Sequence, residues 1–195
     1  GARPISGRPN RSANQEILGK GIPDWSGSFI NTFNYKNFDM TVDMQIVYGV
    51  ETLQQFYHST YDRFGITNGL SEILTDAYSP SNPNTMQQAI FLTNGGHAGQ
   101  DTRIDSSWIV DGSFLRFNLI QVGYSFDTSW AQRLGISGLR VYASANNPWV
   151  ITSKDFKGYD PESTSTGDGN KFGQNVTFFS YPRAKTFTFG LNLTL

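Results

Sequence analysis

Between Phe38 and Tyr48 the chain alternates strictly. Phe38, Met40, Val42, Met44, Ile46 and Tyr48 fall on one face; Asp39, Thr41, Asp43, Gln45 and Val47 fall on the other. Successive side chains of a strand point to opposite sides, so a period of two predicts a strand with one apolar and one polar face. Globular strands usually run about five or six residues. This one matches the roughly 9–11 residues of a tilted membrane-crossing strand. Its apolar face also has an aromatic at each end, as the interfacial girdles of outer-membrane barrels do.

Four more segments carry related patterns. In Trp25–Tyr35, Trp25, Phe29, Phe33 and Tyr35 share a face, with Ile30 and Asn31 out of phase. Only Lys36 and Asn37 separate it from the next strand, which predicts a tight hairpin. Leu115–Phe126 starts in one phase (Leu115, Phe117, Leu119) and continues in the other (Ile120, Val122, Tyr124, Phe126). A one-residue slip of that kind predicts a β-bulge near Leu119. In Leu139–Ile151, Leu139, Val141, Ala143, Ala145 and Trp149 oppose Arg140, Tyr142, Ser144 and Asn146. At the end of the sequence, Phe187, Phe189, Leu191, Leu193 and Leu195 alternate with small polar residues and Gly190. Ser129–Gly135 predicts a short helical turn.

The predicted fold class is therefore all-β: about five antiparallel strands with the pattern of a transmembrane β-barrel. Links after Tyr35 and Phe126 are short, whereas Gly49 to about Ser107 and Thr152 to about Arg183 are long. Short turns at one rim and long loops at the other are the outer-membrane pattern, and such loops fit a compact soluble domain poorly. Residues 1–24 are expected to be a polar N-terminal segment at the periplasmic turn side, and 25–195 strands and extracellular loops. Unpaired backbone groups in hydrocarbon cost several kcal/mol each, so five strands must be completed by a larger polypeptide, self-assemble, or belong to a soluble protein.

Composition narrows the picture. Charged residues are 16% of the chain, aromatics 14%, and there are 20 glycines. Charge is low against the roughly 25% of soluble domains. The 15 basic and 16 acidic residues are scattered, leaving no basic patch for nucleic acid. With no cysteine, disulfides and thiolate chemistry are excluded. Gly1–Asn10 lacks the apolar stretch of a signal peptide, so an export signal is expected to lie elsewhere.

Several ordered motifs resemble one family, the SusC/RagA group of TonB-dependent outer-membrane transporters. They are Pro23-Asp24-Trp25, Tyr35-Lys36-Asn37-Phe38-Asp39, Asp111-Gly112-Ser113-Phe114-Leu115-Arg116 with Gly123-Tyr124, Leu139-Arg140-Val141-Tyr142, Gly158-Tyr159-Asp160-Pro161-Glu162 and Tyr181-Pro182-Arg183. The strand Phe187–Leu195 resembles the barrel-assembly signal that ends such chains. Val110 replaces a common acidic residue, Asn147-Pro148-Trp149 replaces Asn-Leu-Phe, and Leu195 stands where Phe is commoner. The resemblance implies a large transmembrane β-barrel of about 22 strands with a plugged lumen, of which these five would form the last part. It also implies a SusD-like surface lipoprotein, energy from the TonB complex through segments absent here, and oligosaccharide or peptide cargo. The expected location is the outer membrane of a Bacteroidetes-type Gram-negative bacterium.

Candidate residues follow. Asp39, Asp43 and Arg116 would face the lumen, either solvated, in cross-strand ion pairs, or touching cargo. Tyr57 and Tyr61, in the first long loop, could contact cargo or pack within the loop or against a lid. Trp25, Tyr35, Tyr48 and Tyr124 are read as membrane-interface anchors. Asp160, Glu162, Asp168 and Asn170 carry oxygens that calcium could use, but no compact calcium-loop spacing. His58 and His97 have no carboxylate spacing that would make a metal or catalytic pair. No cofactor and no enzymatic activity are expected. Two other readings are a secreted carbohydrate-binding β-sandwich and a structural chain completing another protein's barrel.

Overall fold

The computed structural model describes residues 17–60, 68–85, 106–127, 129, 135–162 and 175–194. Its main element is a five-stranded antiparallel sheet. It comprises β1 (Trp25–Tyr35), β2 (Phe38–Tyr48), β5 (Phe114–Phe126), β6 (Gly138–Thr152) and β8 (Thr186–Thr194), in the order β1-β2-β5-β6-β8. All five segments legible in the sequence are strands, and β1 and β2 have the expected limits. Ten rises of about 3.4 Å at a tilt near 45° cover about 24 Å, close to the ~25 Å apolar band of outer-membrane barrels.

Register explains the two faces. Phe29 pairs with Met44, Met44 with Phe117, and Phe117 with Trp149; Phe33, Met40, Val122, Ala143 and Phe189 form a second such row. Between them runs the row Asn31, Val42, Ile120, Ala145 and Phe187, so Asn31 is a true exception on the apolar side. The opposite face carries Thr32, Thr41, Gln121, Ser144 and Thr188, then Asn34, Asp39, Gly123, Tyr142 and Gly190. Ile30 pairs with Asp43 on that polar side.

The predicted slip is present, with one correction. Phe117 pairs with Met44 and Leu119 with Asp43, leaving Asn118 as the extra residue. Leu119 therefore belongs to the polar rows and not to the apolar set. The same step widens again on β6, where Asn147 and Pro148 lie between the partners of Phe117 and Leu119. Asn147 adopts a left-handed φ of 52°. Pro148 has no N–H to lose to the ladder, which suits it to a bulge. Stacked irregularities bend and twist a sheet.

The chain's buried side chains gather at the long-loop end. There β3 (Glu51–Gln54), β4 (Ile109–Asp111) and β7 (Val176–Thr177) form a second sheet, ordered β4-β3-β7. Two short helices, α1 (Tyr57–Thr60) and α2 (Glu72–Asp76), and a 3₁₀ turn at Ser106–Trp108 complete this cap. Tyr57 and Trp108 are packed with Leu53, Phe56, Leu70 and Ala77. The first long loop thus contains strand and helix, which the sequence reading did not anticipate. Segments of two to five residues are too short to show a periodicity.

The described part of the N-terminal segment, residues 17–24, lies at the long-loop end of the sheet. Because β1 runs into a two-residue turn, its start lies at the opposite, long-loop end. Asp24 N–H donates to the Tyr48 carbonyl at 3.0 Å, Glu51 N–H to the Lys20 carbonyl at 3.0 Å, and Asn175 Nδ2 to the Gly21 carbonyl at 2.6 Å. The described residues 17–24 are therefore part of the cap and not of the short-turn rim. The helical turn predicted at Ser129–Gly135 falls mostly outside the described residues.

Candidate functional site

The apolar face of the large sheet is uncovered. Phe29, Phe33, Phe38, Val141, Trp149, Phe187, Leu191 and Leu193 are all exposed, and Phe189 reaches 83%. A folded sheet normally buries its apolar face; a contiguous exposed one marks a surface meeting lipid or a partner. The interface-anchor candidates border it at both ends. Trp25 and Tyr48 lie side by side at the long-loop end, ring centroids 5.9 Å apart. At the short-turn end Tyr124 packs on Phe38 at 4.6 Å and on Phe126 at 4.8 Å. Tyr35, 70% exposed, pairs with Phe38 beside them. Phe187, Phe189, Leu191 and Leu193 extend the face along β8; Leu195 lies outside the described residues.

On the polar face, Asp39 is held by Arg140 of β6. Nε donates to Oδ1 at 2.9 Å, and Nη2 reaches Oδ2 as the second arm of the fork. The pair spans β5, and Gly123 lies beneath it. A Cβ there would come within 2.5 Å of both Asp39 and Arg140, so the bridge requires glycine at this point. Tyr142 leans over Gly190 in the same way, and the Arg140 guanidinium sits 5.3 Å from the Tyr142 ring centroid. Of the readings open for Asp39, the geometry shows the cross-strand ion pair. Asp43 differs: its Oδ1 is buried and has no hydrogen-bond partner.

Arg116 is the centre of the strongest polar cluster. It is 1% exposed. Nη1 donates to Asn147 Oδ1 at 2.6 Å, Nη2 to Asp160 Oδ1, and Nε lies 3.2 Å from Glu162 Oε2 in an ionic contact not aligned as a hydrogen bond. Glu162 also accepts from Gln45 Nε2 at 3.1 Å and pairs with Arg183 Nη2 at 3.1 Å. Asn147 Nδ2 donates to the Arg183 carbonyl at 3.2 Å. Residues from the Asp111–Arg116, Gly158–Glu162 and Tyr181–Arg183 motifs thus meet at one node that ties the second long loop to β5 and β6. A buried ion pair needs its hydrogen-bonding capacity met; Asn147 and Asp160 meet that of the two Nη groups, while Arg116 Nε and Glu162 Oε2 are in ionic contact without a hydrogen bond. Of the readings open for Arg116, the geometry shows the ion pair. The calcium candidates Asp160 and Glu162 point their oxygens at guanidinium groups instead; Asp168 and Asn170 lie outside the described residues.

A second node holds the cap. Gln54, fully buried, donates from Nε2 to Tyr57 Oη and to the Asp155 carbonyl, both at 3.2 Å, and accepts from Lys157 N–H at 2.8 Å. Lys157 Nζ donates to both Glu72 oxygens at 2.6 and 2.7 Å, which raises its pKa above the usual lysine value. Burial pushes the Tyr57 phenol up as well, because the phenolate would lose solvation. Of the readings open for Tyr57, the geometry shows packing within the loop, in the core of the cap; Tyr61 lies outside the described residues. His58 is on α1, and His97 lies outside the described residues. Among the described residues no cluster of three or more acidic or histidine side chains is arranged to hold a metal ion. Nor is any helix among them long and apolar enough to cross a membrane, which says nothing of a barrel. Gln54 and Asn147 were invisible to sequence reasoning, since an isolated amide carries no pattern.

Comparison with known proteins agrees with this architecture. No protein-family profile matches the chain. It is 32% identical over 185 residues to the TonB-dependent receptor P3 of Formosa agariphila, covering 93% of this chain and 17% of that receptor. It is 33% identical over 184 residues to the TonB-dependent receptor SusC of Bacteroides thetaiotaomicron, covering 93% of this chain and 16% of SusC. Among solved structures it resembles a chain of the RagAB peptide transporter with a TM-score of 0.71 and 23% identity, over 91% of this chain and 18% of that one. The RagAB peptide importer in its open-open state gives 0.69 and 24%, over 92% and 18%. The chain therefore spans less than a fifth of the length of these relatives.

Proposed function

This chain belongs to the SusC/RagA family of TonB-dependent receptors, and from that premise we propose that it serves outer-membrane nutrient import as a C-terminal barrel segment of such a transporter. The observation that carries the reading is the exposed apolar face, bordered by aromatics and backed by a polar face. Lipid covers the first face and a folded plug borders the second. The secreted sandwich is not favoured, because no second sheet covers the apolar side among the described residues.

In this reading the outer edges of β1 and β8 pair with the remainder of the barrel. The cap at the long-loop end faces outward, where a SusD-like lipoprotein would sit, and the TonB complex acts through segments outside this chain. The location is the outer membrane of a Bacteroidetes-type bacterium, and the cargo is an oligosaccharide or peptide. Asp43, with its unpartnered Oδ1, is the lumen-facing residue best suited to meet plug or cargo. The test is growth on a panel of oligosaccharides and peptides as sole nutrient, in cells whose receptor lacks residues 25–195. Loss of growth on at least one, with growth on monosaccharides and free amino acids retained, supports import. Unaltered growth across the panel contradicts it.

A further inference from the structure

The short-turn end of the large sheet brings together an aromatic rim, a cation and an apolar groove. Tyr35, Phe38, Tyr124, Val141 and Leu191 make the last row on the apolar side that crosses all five strands. In the turn beyond Tyr35, Lys36 holds φ at 52°, a left-handed conformation that such turns ordinarily give to Asn or Gly. Its ammonium lies 5.4 Å from the centre of the exposed Tyr35 ring, and no carboxylate among the described residues pairs with it. Asp127, at the same rim, accepts instead from Asn37 Nδ2 at 3.0 Å. Further along the apolar face, β6 is a groove. Ala143 lies between Val122 and Phe189, and Ala145 between Ile120 and Phe187. Both phenyl side chains are exposed, so β8 stands as a wall beside these small residues. Trp149, packed edge-on against Phe117 at 6.0 Å, ends the groove.

We propose that this corner of the sheet holds one phospholipid of the leaflet at the short-turn side, with its phosphate at Lys36 and one acyl chain along β6. A lysine at the edge of a lipid-facing surface lays its methylenes on apolar side chains and sends its charge to the headgroups. Here Tyr35 supports the stem, so the unpaired ammonium is held at the level of the aromatic rim. A phosphodiester supplies the anion that this end of the sheet lacks. Val141, Ala143 and Ala145 present no polar group, so the groove suits a methylene chain. A peptide backbone laid there would have its own polar groups unmet. From β2 to β6 is two strand spacings, about 10 Å, which is within the breadth of one lipid. The leaflet is the periplasmic one in the orientation proposed above. The site rests on the reading of this face as lipid-facing, but not on which nutrient is imported.

The experiment is native mass spectrometry of the full-length receptor in mild detergent, as purified and after delipidation followed by addition of palmitoyl-oleoyl phosphatidylglycerol or phosphatidylethanolamine. Phospholipid should remain on the purified wild type and return from the added probes. Lys36→Asn suits the turn and removes the cation. Its retention of phosphatidylglycerol should fall about fivefold, the ratio for ~1 kcal/mol, which is the worth of one lysine beside anionic headgroups. Ala145→Phe, which fills the groove, should also lower retention. Lys154→Gln, at an exposed lysine beyond the other end of β6, should leave it unchanged. Heat-modifiable gel mobility checks that each variant still assembles its barrel. Absence of phospholipid, retention indifferent to Lys36 and Ala145, or lipopolysaccharide in its place overturns the proposal. An assembled outer-membrane barrel without this lipid sinks the site alone, whereas a water-soluble chain sinks the lipid-facing reading with it.

Discussion

Single side chains decide how the outward loops are held. Arg116 is buried against Asp160 and Glu162, so replacing it with Met removes the cation that faces the buried Asp160 carboxylate. Breaking a buried pair in this way costs about 3–5 kcal/mol. The expected outcome is loss of order in the cap with the barrel intact: protease should cut within residues 153–185 of Arg116→Met, while heat-modifiable mobility stays normal. Arg116→Lys should behave almost as badly, since an ammonium cannot serve Asn147, Asp160 and Glu162 from one planar fork. A loop as resistant as the wild type would show that the node does not anchor it. The sequence reading placed Arg116 and Asp39 alike on the polar face, and there its reach ended. Asp39 and Arg140 are 101 residues apart, and only register across β5 brings them together.

Among elements, the large strands are the most tolerant of prediction and the most sensitive to charge. Met44 lies on the apolar face near the middle of β2, and Met44→Arg should cost about 2–4 kcal/mol and impair assembly. Gln45→Arg looks harmless from alternation alone, yet Gln45 donates to Glu162 beside Arg116. The better lumen-side control is Thr41→Arg, whose neighbours Thr32 and Gln121 are uncharged. Equal assembly of Met44→Arg and Thr41→Arg would refute the face assignment. The cap should answer to pH. Lys157 and Tyr57 both hold their protons more tightly folded than unfolded, so their stabilisation is complete below the ordinary values of 10.5 and 10.0. It is lost as pH rises through the raised folded values. Cleavage by an alkaline-stable subtilisin within residues 57–76 should therefore increase above about pH 10.5, and earlier in Glu72→Gln. Cleavage that is flat from pH 8 to 11 would contradict this. β1, β2 and β8 were legible almost to the residue because long alternation is a strong signal. β3, β4 and β7 were not, because each is held by partners distant in sequence and none is long enough to alternate.

For the whole molecule, the five long strands lie in chain order, β1-β2-β5-β6-β8, with short and long connections alternating between the two ends. The hydrogen bonds of Lys20, Gly21 and Asp24 hold the described residues 17–24 at the long-loop end. An exposed apolar face and two sheet edges without partners among the described residues fit a section of a larger barrel. Single-cysteine spin labels, convenient in a chain without cysteine, should show oxygen accessibility high at Met40, Val42 and Met44 and low at Thr41 in the native membrane. Absence of that alternation would mean that lipid does not cover the face.

The most direct test of membership in a transporter is to extract the chain from its native membranes in mild detergent and identify its companions by native mass spectrometry and proteomics. The account predicts recovery from the outer-membrane fraction, in one particle with plug-bearing barrel sequence and a surface lipoprotein. Recovery as a water-soluble species near 21.7 kDa, free of both, would contradict it.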